Sequence, residues 1–249
     1  MTDKISISLV SYLNTKPFLY GLEHASILPR LDLQLDIPSV GGKKILNNEV
    51  DIGLVPVAVL AQLNDAQIIT DYCIGANGPV KSVSIYSEVP IDEIENIYLD
   101  YHSLTSVQLV KLLLREYWKI TPMQLDAPED YIDRIKGTTA GLVIGDRALM
   151  LNKKMEYVYD LSEAWKNLTG LPFVFAAWVT RKKQFADNIF EINEALKYGV
   201  HNIDRVAEAY QSDLLTKSEL EDYLKNNIDF HLDATKRRAL DLFLSMIRK

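Results

Sequence analysis

The sequence predicts an α/β protein with two lobes and a cleft between them. Short apolar runs alternate with helical patterns through residues 5–144, and such alternation is typical of parallel βαβ units. From Lys183 onward the pattern is helical only. At 249 residues the chain is long enough for one large domain or for two lobes.

The predicted strands are seven short apolar runs, several of them rich in β-branched residues. They cover residues 5–10, 31–37, 52–55, 68–74, 83–86, 97–99 and 141–144. Helical patterns lie between them, and the clearest one has an apolar face formed by Val107, Val110, Leu113, Leu114 and Tyr117. The sequence therefore predicts sheet strands that are joined by helices.

The C-terminal third is predicted to be helical and to pack on the first lobe. Thr216 is followed three residues later by Glu219, a capping-box pattern that marks the start of a helix. Apolar residues recur at helical spacing before and after this point. They are Ile189, Ile192, Leu196, Val200, Ile203 and Tyr210 in one stripe, and Leu240, Phe243, Leu244 and Ile247 in the last helix.

No linker rich in Gly, Ser or Pro divides the chain, and a discontinuous first lobe would fit this absence. We expect the chain to leave the first lobe near residues 86–90 and to return near residues 175–178. Lobe 1 would then comprise residues 1–87 and 177–249, and lobe 2 residues 88–176. The ligand would bind in the cleft between them.

The composition excludes several classes of protein. With 48% hydrophobic and 24% charged residues the chain is typical of soluble globular proteins. Its net charge of −7 disfavours nucleic acid and anionic membranes as partners. No apolar run approaches the ~20 residues that span a bilayer, and the N-terminus lacks a secretory signal. We therefore expect a cytoplasmic protein.

The cysteine and histidines predict neither a disulfide nor a metal site. Cys73 is the single cysteine, so an intrachain disulfide is impossible, and we expect its side chain in a buried strand. His24, His102, His201 and His231 do not recur at metal-ligand spacing. Only His102 lies near a candidate site, where we expect an orienting or solvated role.

The first candidate site follows the first strand. Tyr12, Asn14 and Thr15 fall where the chain leaves the sheet, and Pro17 suits the first turn of a following helix. Ligands of open α/β sheets bind at the carboxyl ends of strands. An ordinary strand-to-helix junction would have the same composition, so the pattern alone leaves both interpretations open.

Three further segments offer polar groups at strand ends. Residues 78–82 form either a tight turn near a hinge or a loop that presents N–H groups and the Ser82 hydroxyl to a ligand. Ser103, Thr105 and Ser106 supply three hydroxyls where a helix cap needs one, which suits a carboxylate at a helix N-terminus. Asp146 has the pattern of a helix N-cap.

Five segments, in this order, resemble the chorismate dehydratase family, which catalyses the first step of the futalosine route to menaquinone. They are Tyr-Leu-Asn-Thr-Lys-Pro at 12–17, Gly-Pro-Val-Lys-Ser-Val at 78–83, Ser-Leu-Thr-Ser-Val at 103–107, Ile-Gly-Asp-Arg-Ala-Leu at 144–149, and Trp-Lys-Asn-Leu-Thr-Gly-Leu-Pro-Phe-Val-Phe-Ala at 165–176. A sister family of the same pathway carries a Ser-Pro-Cys-Pro-Asn type motif near its N-terminus, and this chain lacks it.

The resemblance implies a fold like that of type II periplasmic binding proteins. It also implies dehydration of chorismate to 3-[(1-carboxyvinyl)oxy]benzoate without a cofactor or metal. Asn14 and Ser82 match the residues most closely tied to activity, and we expect them to be catalytic. We expect the substrate to contact Tyr12, Thr15, Gly78, Pro79, Val80, Ser103, Thr105, Ser106, Asp146 and Thr169. Many relatives carry Arg where this chain has Leu104, so a charge-assisted carboxylate contact is in doubt there.

These residues include donors but no evident base beside Asn14, because an amide has no useful basicity. One hypothesis is that the enolpyruvyl carboxylate of the substrate takes the proton itself. Two alternative functions remain open. The chain could be a non-catalytic cytoplasmic solute-binding protein for a small carboxylate, or the related naphthoate-forming enzyme. Chorismate is the only partner that the resemblance implies.

Overall fold

The computed structural model of the chain describes residues 4–151, 155–182 and 186–248. Its strands are β1 Ile5–Val10, β2 Leu31–Asp36, β3 Ile52–Pro56, β4 Gln67–Ala76, β5 Val83–Ser87, β6 Asn96–Leu99, β7 Met123–Asp126, β8 Thr139–Ile144, β9 Tyr157–Asp160, β10 Phe173–Thr180 and β11 Asp229–His231. Its α-helices are α1 Lys16–Glu23, α2 Pro38–Leu46, α3 Leu104–Leu113, α4 Asp146–Leu151, α5 Leu161–Thr169, α6 Ala186–His201, α7 Ile203–Ala209, α8 Lys217–Asp222 and α9 Ala234–Ile247.

The strands form two mixed sheets. The first sheet has the order β11-β4-β10-β3-β1-β2, and the second has the order β7-β6-β8-β5-β9. β1 is parallel to β2 and β3, and β6 is parallel to β7 and β8. β10 and β5 are antiparallel to both of their neighbours. The predicted α/β class is confirmed, and parallel pairing is confined to one part of each sheet.

The two predicted crossings between the sheets are each displaced towards the N-terminus. β5 already belongs to the second sheet, so the chain crosses between Ala76 and Val83 and not near residues 86–90. β10 belongs wholly to the first sheet, so the chain returns to that sheet before Phe173, earlier than the expected residues 175–178. Strand pairing is decided by distant partners, and an apolar run carries no record of which sheet it joins. The division into lobes stays a proposal.

β10 was not among the predicted strands. Its residues are buried throughout, and Phe173 and Trp178 are almost inaccessible to solvent. A strand covered on both faces lacks the alternation of apolar and polar residues that identifies a half-buried strand.

The C-terminal helices pack against the first sheet and its helices. α6 lies along α1 and β4, and α9 lies against β10. A Cβ atom on Gly21 would lie 1.9 Å from the Ala195 carbonyl oxygen, and one on Gly199 would lie 1.7 Å from that of Pro17. The backbones of α1 and α6 therefore touch at these glycines, as the predicted packing of the C-terminal segment on the first lobe requires. Among the described residues, no helix is long and apolar enough to cross a membrane.

Candidate functional site

A cavity lies between the two sheets, where the carboxyl ends of β1 and β3 face β5 and β8. Its walls are mostly apolar, and none of the described residues that line it carries a charge. The polar groups are hydroxyls, one amide and backbone. The lining residues are Val10, Tyr12, Asn14, Thr15, Pro38, Pro56, Ile74, Val80, Ser82, Val83, Ser103, Ser106, Ile144, Gly145, Phe175 and Ala176.

Asn14 is held in this cavity by a 3₁₀ turn over Leu13–Thr15, between β1 and α1. The Thr15 hydroxyl donates to the carbonyl oxygens of Val10 at 2.5 Å and Tyr12 at 2.8 Å, which closes the turn. Asn14 is buried, and within the described chain its Oδ1 atom has no hydrogen-bond partner. An unpaired buried acceptor is costly, so this oxygen is suited to a ligand donor.

Ser82 reaches the cavity from the turn that precedes β5. Gly78 and Lys81 both adopt positive φ angles, of 133° and 62°, which bend the turn sharply. The Gly145 N–H donates to the Ser82 carbonyl oxygen at 2.8 Å and ties the turn to the end of β8. Asn14 and Ser82, predicted from sequence as the catalytic pair, therefore line the same cavity. Their catalytic role stays a prediction.

Tyr223 also belongs to this cluster, and the sequence analysis missed it. Its phenol O–H donates to Ser82 Oγ at 2.8 Å, and the phenol also hydrogen-bonds the Asn14 side chain. Burial raises the pKa of Tyr223 far above its ordinary value, so the phenol is protonated at neutral pH. The capping box at Thr216 predicts the helix that carries Tyr223. No sequence signal distinguishes this tyrosine from a core residue.

Asp160 anchors the turn that carries Ser82, and it was also missed. It caps α5 by accepting from the Ser162 and Glu163 N–H groups, and its other oxygen accepts from the Lys81 N–H at 2.7 Å. Burial raises the pKa of Asp160 to about 6, although these N–H donors lower it. The Asp160 carboxylate therefore holds the turn that positions Ser82.

The three hydroxyls at the start of α3 have different tasks. Ser103 is the N-cap, and its Oγ accepts from the Ser106 N–H at 3.4 Å and from the Ser106 hydroxyl at 3.2 Å. Both serines line the cavity. Thr105 does not, because its Oγ1 accepts from the Ala58 N–H at 3.1 Å. Leu104 lines a neighbouring groove instead of the cavity.

Asp146 lies beside the cavity without lining it. Its Oδ1 accepts from the Leu13 N–H at 3.0 Å, a bond between the second sheet's β8–α4 junction and the turn after β1. It is the first residue of α4, and this bond to Leu13 is not the N-cap bond that the sequence predicted. Burial raises the pKa of Asp146, and the Leu13 N–H and the Lys16 charge lower it. Its role in the structure is to hold the Asn14 turn.

The remaining predicted contact residues fall into two groups. Tyr12 and Val80 line the cavity, while Gly78, Pro79 and Thr169 do not. The Thr169 hydroxyl donates to the Trp165 carbonyl oxygen at 2.8 Å and accepts from the Leu171 N–H at 3.2 Å. Since both bonds finish the end of α5, Thr169 serves local structure.

Tyr12 leads to a second polar network at the cavity edge. Its hydroxyl lies 2.7 Å from His102 Nδ1. The fully buried Asp100 accepts from the His102 N–H at 2.9 Å, from Arg147 at 2.6 Å and from Tyr131 at 2.8 Å. Burial lowers the pKa of His102, so its imidazole is largely neutral at pH 7. The network supports the cavity wall and leaves the lining uncharged.

Backbone N–H groups supply the positive potential that the lining side chains lack. α2 begins at Pro38 and the Ser103 cap of α3 lines the cavity, while α1 begins directly after Thr15. Helix N-termini carry partial positive charge and favour anions. The cavity therefore suits a small anionic, partly apolar ligand that is bound through neutral donors.

Residues 5–249 match the model of a family described as menaquinone biosynthesis. The chain belongs to this family. The resemblance that the five sequence segments carry is thereby confirmed at the level of the family. The chain is also 26% identical, over 257 residues, to a chorismate dehydratase of Thermus thermophilus, covering 95% of this chain and 93% of the relative.

Solved structures share its fold. A protein of Archaeoglobus fulgidus has a TM-score of 0.78 at 15% identity, with 98% of this chain and 97% of that chain covered. A Candida albicans protein with the generic periplasmic binding protein fold has a TM-score of 0.63 at 12% identity, covering 98% and 90%. The alkanesulfonate-binding protein of Xanthomonas axonopodis, bound to MOPS, has a TM-score of 0.61 at 13% identity, covering 98% and 93%. The predicted periplasmic-binding-protein-like fold is confirmed.

Proposed function

We propose that this member of the menaquinone-biosynthesis family is a chorismate dehydratase, a hydro-lyase of the futalosine route. It would convert chorismate into 3-[(1-carboxyvinyl)oxy]benzoate and water, in the cytoplasm. The observation that carries the proposal is the juxtaposition of Asn14 and Ser82 in an uncharged cavity between the sheets. The family match and the similarity to a chorismate dehydratase support it.

The reaction needs activation of one proton and departure of one hydroxyl. The ring carboxylate of chorismate is conjugated through C1=C2 to the C3–H bond, so removal of that proton gives a vinylogous dienolate. The C4–O bond then breaks and the ring becomes aromatic. Charge accumulates on the ring carboxylate during this step, and preorganised donors there lower the barrier. Helix N-termini and the Ser103–Ser106 hydroxyl pair are the donors available at the cavity.

The substrate supplies the base in this proposal. Its enolpyruvyl carboxylate takes the C3 proton and returns it to the departing hydroxide, so water leaves and no protein group changes its protonation state. Asn14 Oδ1 has no other partner among the described residues and can accept a hydrogen bond from the C4 hydroxyl, which positions that group. The Ser82 hydroxyl would donate to the C4 oxygen as the C–O bond breaks. A cavity lined by hydroxyl and amide groups, with no carboxylate, amine or imidazole among its described lining residues, fits this division of tasks.

The first experiment is incubation of the purified protein with chorismate, followed by chromatography of the aromatic product. We expect chorismate to be consumed with equimolar formation of the benzoate. Binding of chorismate without product would favour a solute-binding protein, an alternative that the fold shared with the alkanesulfonate-binding protein keeps relevant. Absence of both binding and turnover would leave the naphthoate-forming enzyme as the candidate.

A chorismate analogue tests the identity of the base. In this analogue a neutral amide replaces the enolpyruvyl carboxylate, while the ring carboxylate and the C4 hydroxyl are kept. We expect it to bind and to resist dehydration, because an amide is too weak a base. Rapid dehydration of the analogue would require a base from the protein, and Asp146 and His102 would be the first residues to substitute.

A further inference from the structure

We propose that Tyr223 is a positioning residue that fixes the direction of the hydrogen bonds at Asn14 and Ser82. Its hydroxyl would make Ser82 a donor and Asn14 Oδ1 an acceptor towards the ligand. This inference rests on the proposed dehydratase function, which assigns those two groups to the C4 hydroxyl of the substrate.

Tyr223 reaches the site from a distant part of the chain. It begins the π-helical turn Tyr223–Asn227 that continues α8, and it contacts the turn before β5, 141 residues away. Only 3% of its surface is exposed. It is not one of the residues that line the cavity, so it acts from behind Ser82 and does not touch the ligand.

The direction of each bond follows from the groups present. The phenol is protonated, because burial raises the pKa of Tyr223, and a phenol has a single proton to donate. That proton is donated to Ser82 Oγ. The Asn14 side chain also pairs with the phenol, and because the single phenol proton is already donated to Ser82, only the amide N–H of Asn14 can pair with the phenol oxygen. The amide oxygen of Asn14 is therefore the atom left without a partner.

This chain of bonds leaves a matched pair of groups for the ligand. Ser82 already accepts from Tyr223, so its own proton is available to the cavity. Asn14 already donates to Tyr223, so its Oδ1 is available as an acceptor. Without the Tyr223 hydroxyl, the Asn14 amide would lose the partner of its N–H group, and its Oδ1 could turn to bond the Ser82 O–H, since both side chains neighbour that hydroxyl. The substrate would then have to break that bond to be aligned.

The test is Tyr223→Phe, which keeps the buried ring and removes the hydroxyl. We expect kcat for chorismate to fall on the order of 100-fold, as lost alignment can cost, with KM changed by less than about threefold because a uniform binding contact is not removed. The matched control is Tyr210→Phe, which removes a phenol that bonds Glu23 away from the site. A Tyr223→Phe enzyme with the kcat of the control would overturn the proposal.

A double substitution shows whether Tyr223 acts through Ser82. If it does, Tyr223→Phe should have little further effect on kcat once Ser82→Ala is present. If the loss of kcat in the double variant equals the product of the losses in the two single variants, the proposal is overturned. A second test replaces Tyr223 with 3,5-difluorotyrosine, which keeps the ring and hydroxyl but ionises more readily. The kcat of that protein should be lost at lower pH than with tyrosine, and an unmoved pH profile would also contradict the role.

A measurement without substrate separates this inference from the proposed function. The urea midpoints of the wild type, both single variants and the double variant should show coupling between Tyr223 and Ser82. Coupling in a protein that does not consume chorismate would refute the dehydratase and retain the bond between Tyr223 and Ser82. Active wild-type protein with no coupling would refute the positioning role alone.

Discussion

The Tyr12 hydroxyl lies 2.7 Å from His102 Nδ1, and this bond joins the end of β1 in the first sheet to the turn after β6 in the second. The two rings are nearly parallel, with an interplanar angle of 8°. The His102 carbonyl oxygen also accepts from the Ser39 N–H at 2.9 Å. Two bonds between the two halves of the fold thus meet at one histidine, and the side-chain bond is the one that depends on its protonation.

We expect the free energy of unfolding to decrease as the pH is lowered through the range in which His102 would protonate. Burial lowers the folded-state pKa of His102 below its ordinary value. Below the ordinary histidine pKa of about 6.5, the unfolded chain binds a proton at this residue more readily than the folded chain does. The free energy of unfolding is therefore highest above that pH and decreases as the pH falls below it. Urea unfolding at about pH 7.5 and about pH 5.5 should show a smaller loss in His102→Asn than in the wild type.

Asn keeps an acceptor near the Tyr12 hydroxyl, so His102→Asn changes the titration more than the bond. His201→Asn provides the control, because His201 is exposed at the end of α6. Equal pH dependence of wild type and His102→Asn would show that His102 does not contribute.

Asn14→Asp should lower turnover of chorismate by roughly 100-fold or more, as loss of an oxyanion-type contact does. A carboxylate at this position cannot donate to Tyr223, and its charge would face a dianionic substrate. Asn167→Asp adds the same charge at an exposed position of α5 and should leave kcat unchanged. Steady-state kinetics with circular dichroism as the check on folding decides this, and a fully active Asn14→Asp enzyme would remove Asn14 from the mechanism.

Thr105 and Ser106 should separate stability from binding. Thr105→Val leaves the Ala58 N–H without its acceptor, which costs about 1–3 kcal/mol of unfolding free energy. Because Thr105 does not line the cavity, chorismate affinity should be kept. Ser106→Ala should weaken affinity with a smaller effect on stability, since Ser106 lines the cavity. Titration calorimetry measures the affinity and urea unfolding the stability of both variants. Loss of affinity in Thr105→Val, or unchanged affinity in Ser106→Ala, would contradict these roles.

Gly199→Ala should destabilise the protein by about 1–3 kcal/mol or more, although alanine favours helices. The added Cβ would lie 1.7 Å from the Pro17 carbonyl oxygen, and both atoms belong to packed helices that cannot easily separate. Lys197→Ala, on the exposed side of the same helix, should change stability by less than about 0.5 kcal/mol. Equal midpoints for the two variants would mean that α1 and α6 can move apart freely.

The sequence predicted those parts of the site that depend on local pattern. Asn14 follows a strand whose β-branched residues identify it, and a strand end is where ligands of such sheets bind. Residues 83–86 belong to β5, which pairs with β8 and β9 far along the chain and not with the strands of the first sheet. Local pattern holds no information about that choice of partners.

Tyr223 and Asp160 show the same limit at the level of side chains. Tyr223 lies on a helix that the Thr216 capping box predicts, yet its contact with Ser82 depends on how that helix packs. Asp160 has the pattern of an ordinary N-cap, and its second task, holding the Lys81 N–H, depends on where the turn before β5 comes to lie. Residues that act from behind the cavity wall are the ones that a sequence pattern does not reveal.

β4 and β10 form an antiparallel pair in the first sheet, and the second sheet lies between them in the sequence, like an insertion into a β-hairpin. Ala76, at the end of β4, is paired with Phe173, at the start of β10. Ser84 of β5 is likewise paired with Asp160 at the end of β9. A short turn could therefore join β4 to β10 directly, and the strands of the second sheet form one continuous insert whose two ends lie side by side. The insert could be exchanged for that of a relative by joining the two chains at the paired ends of β4 and β10.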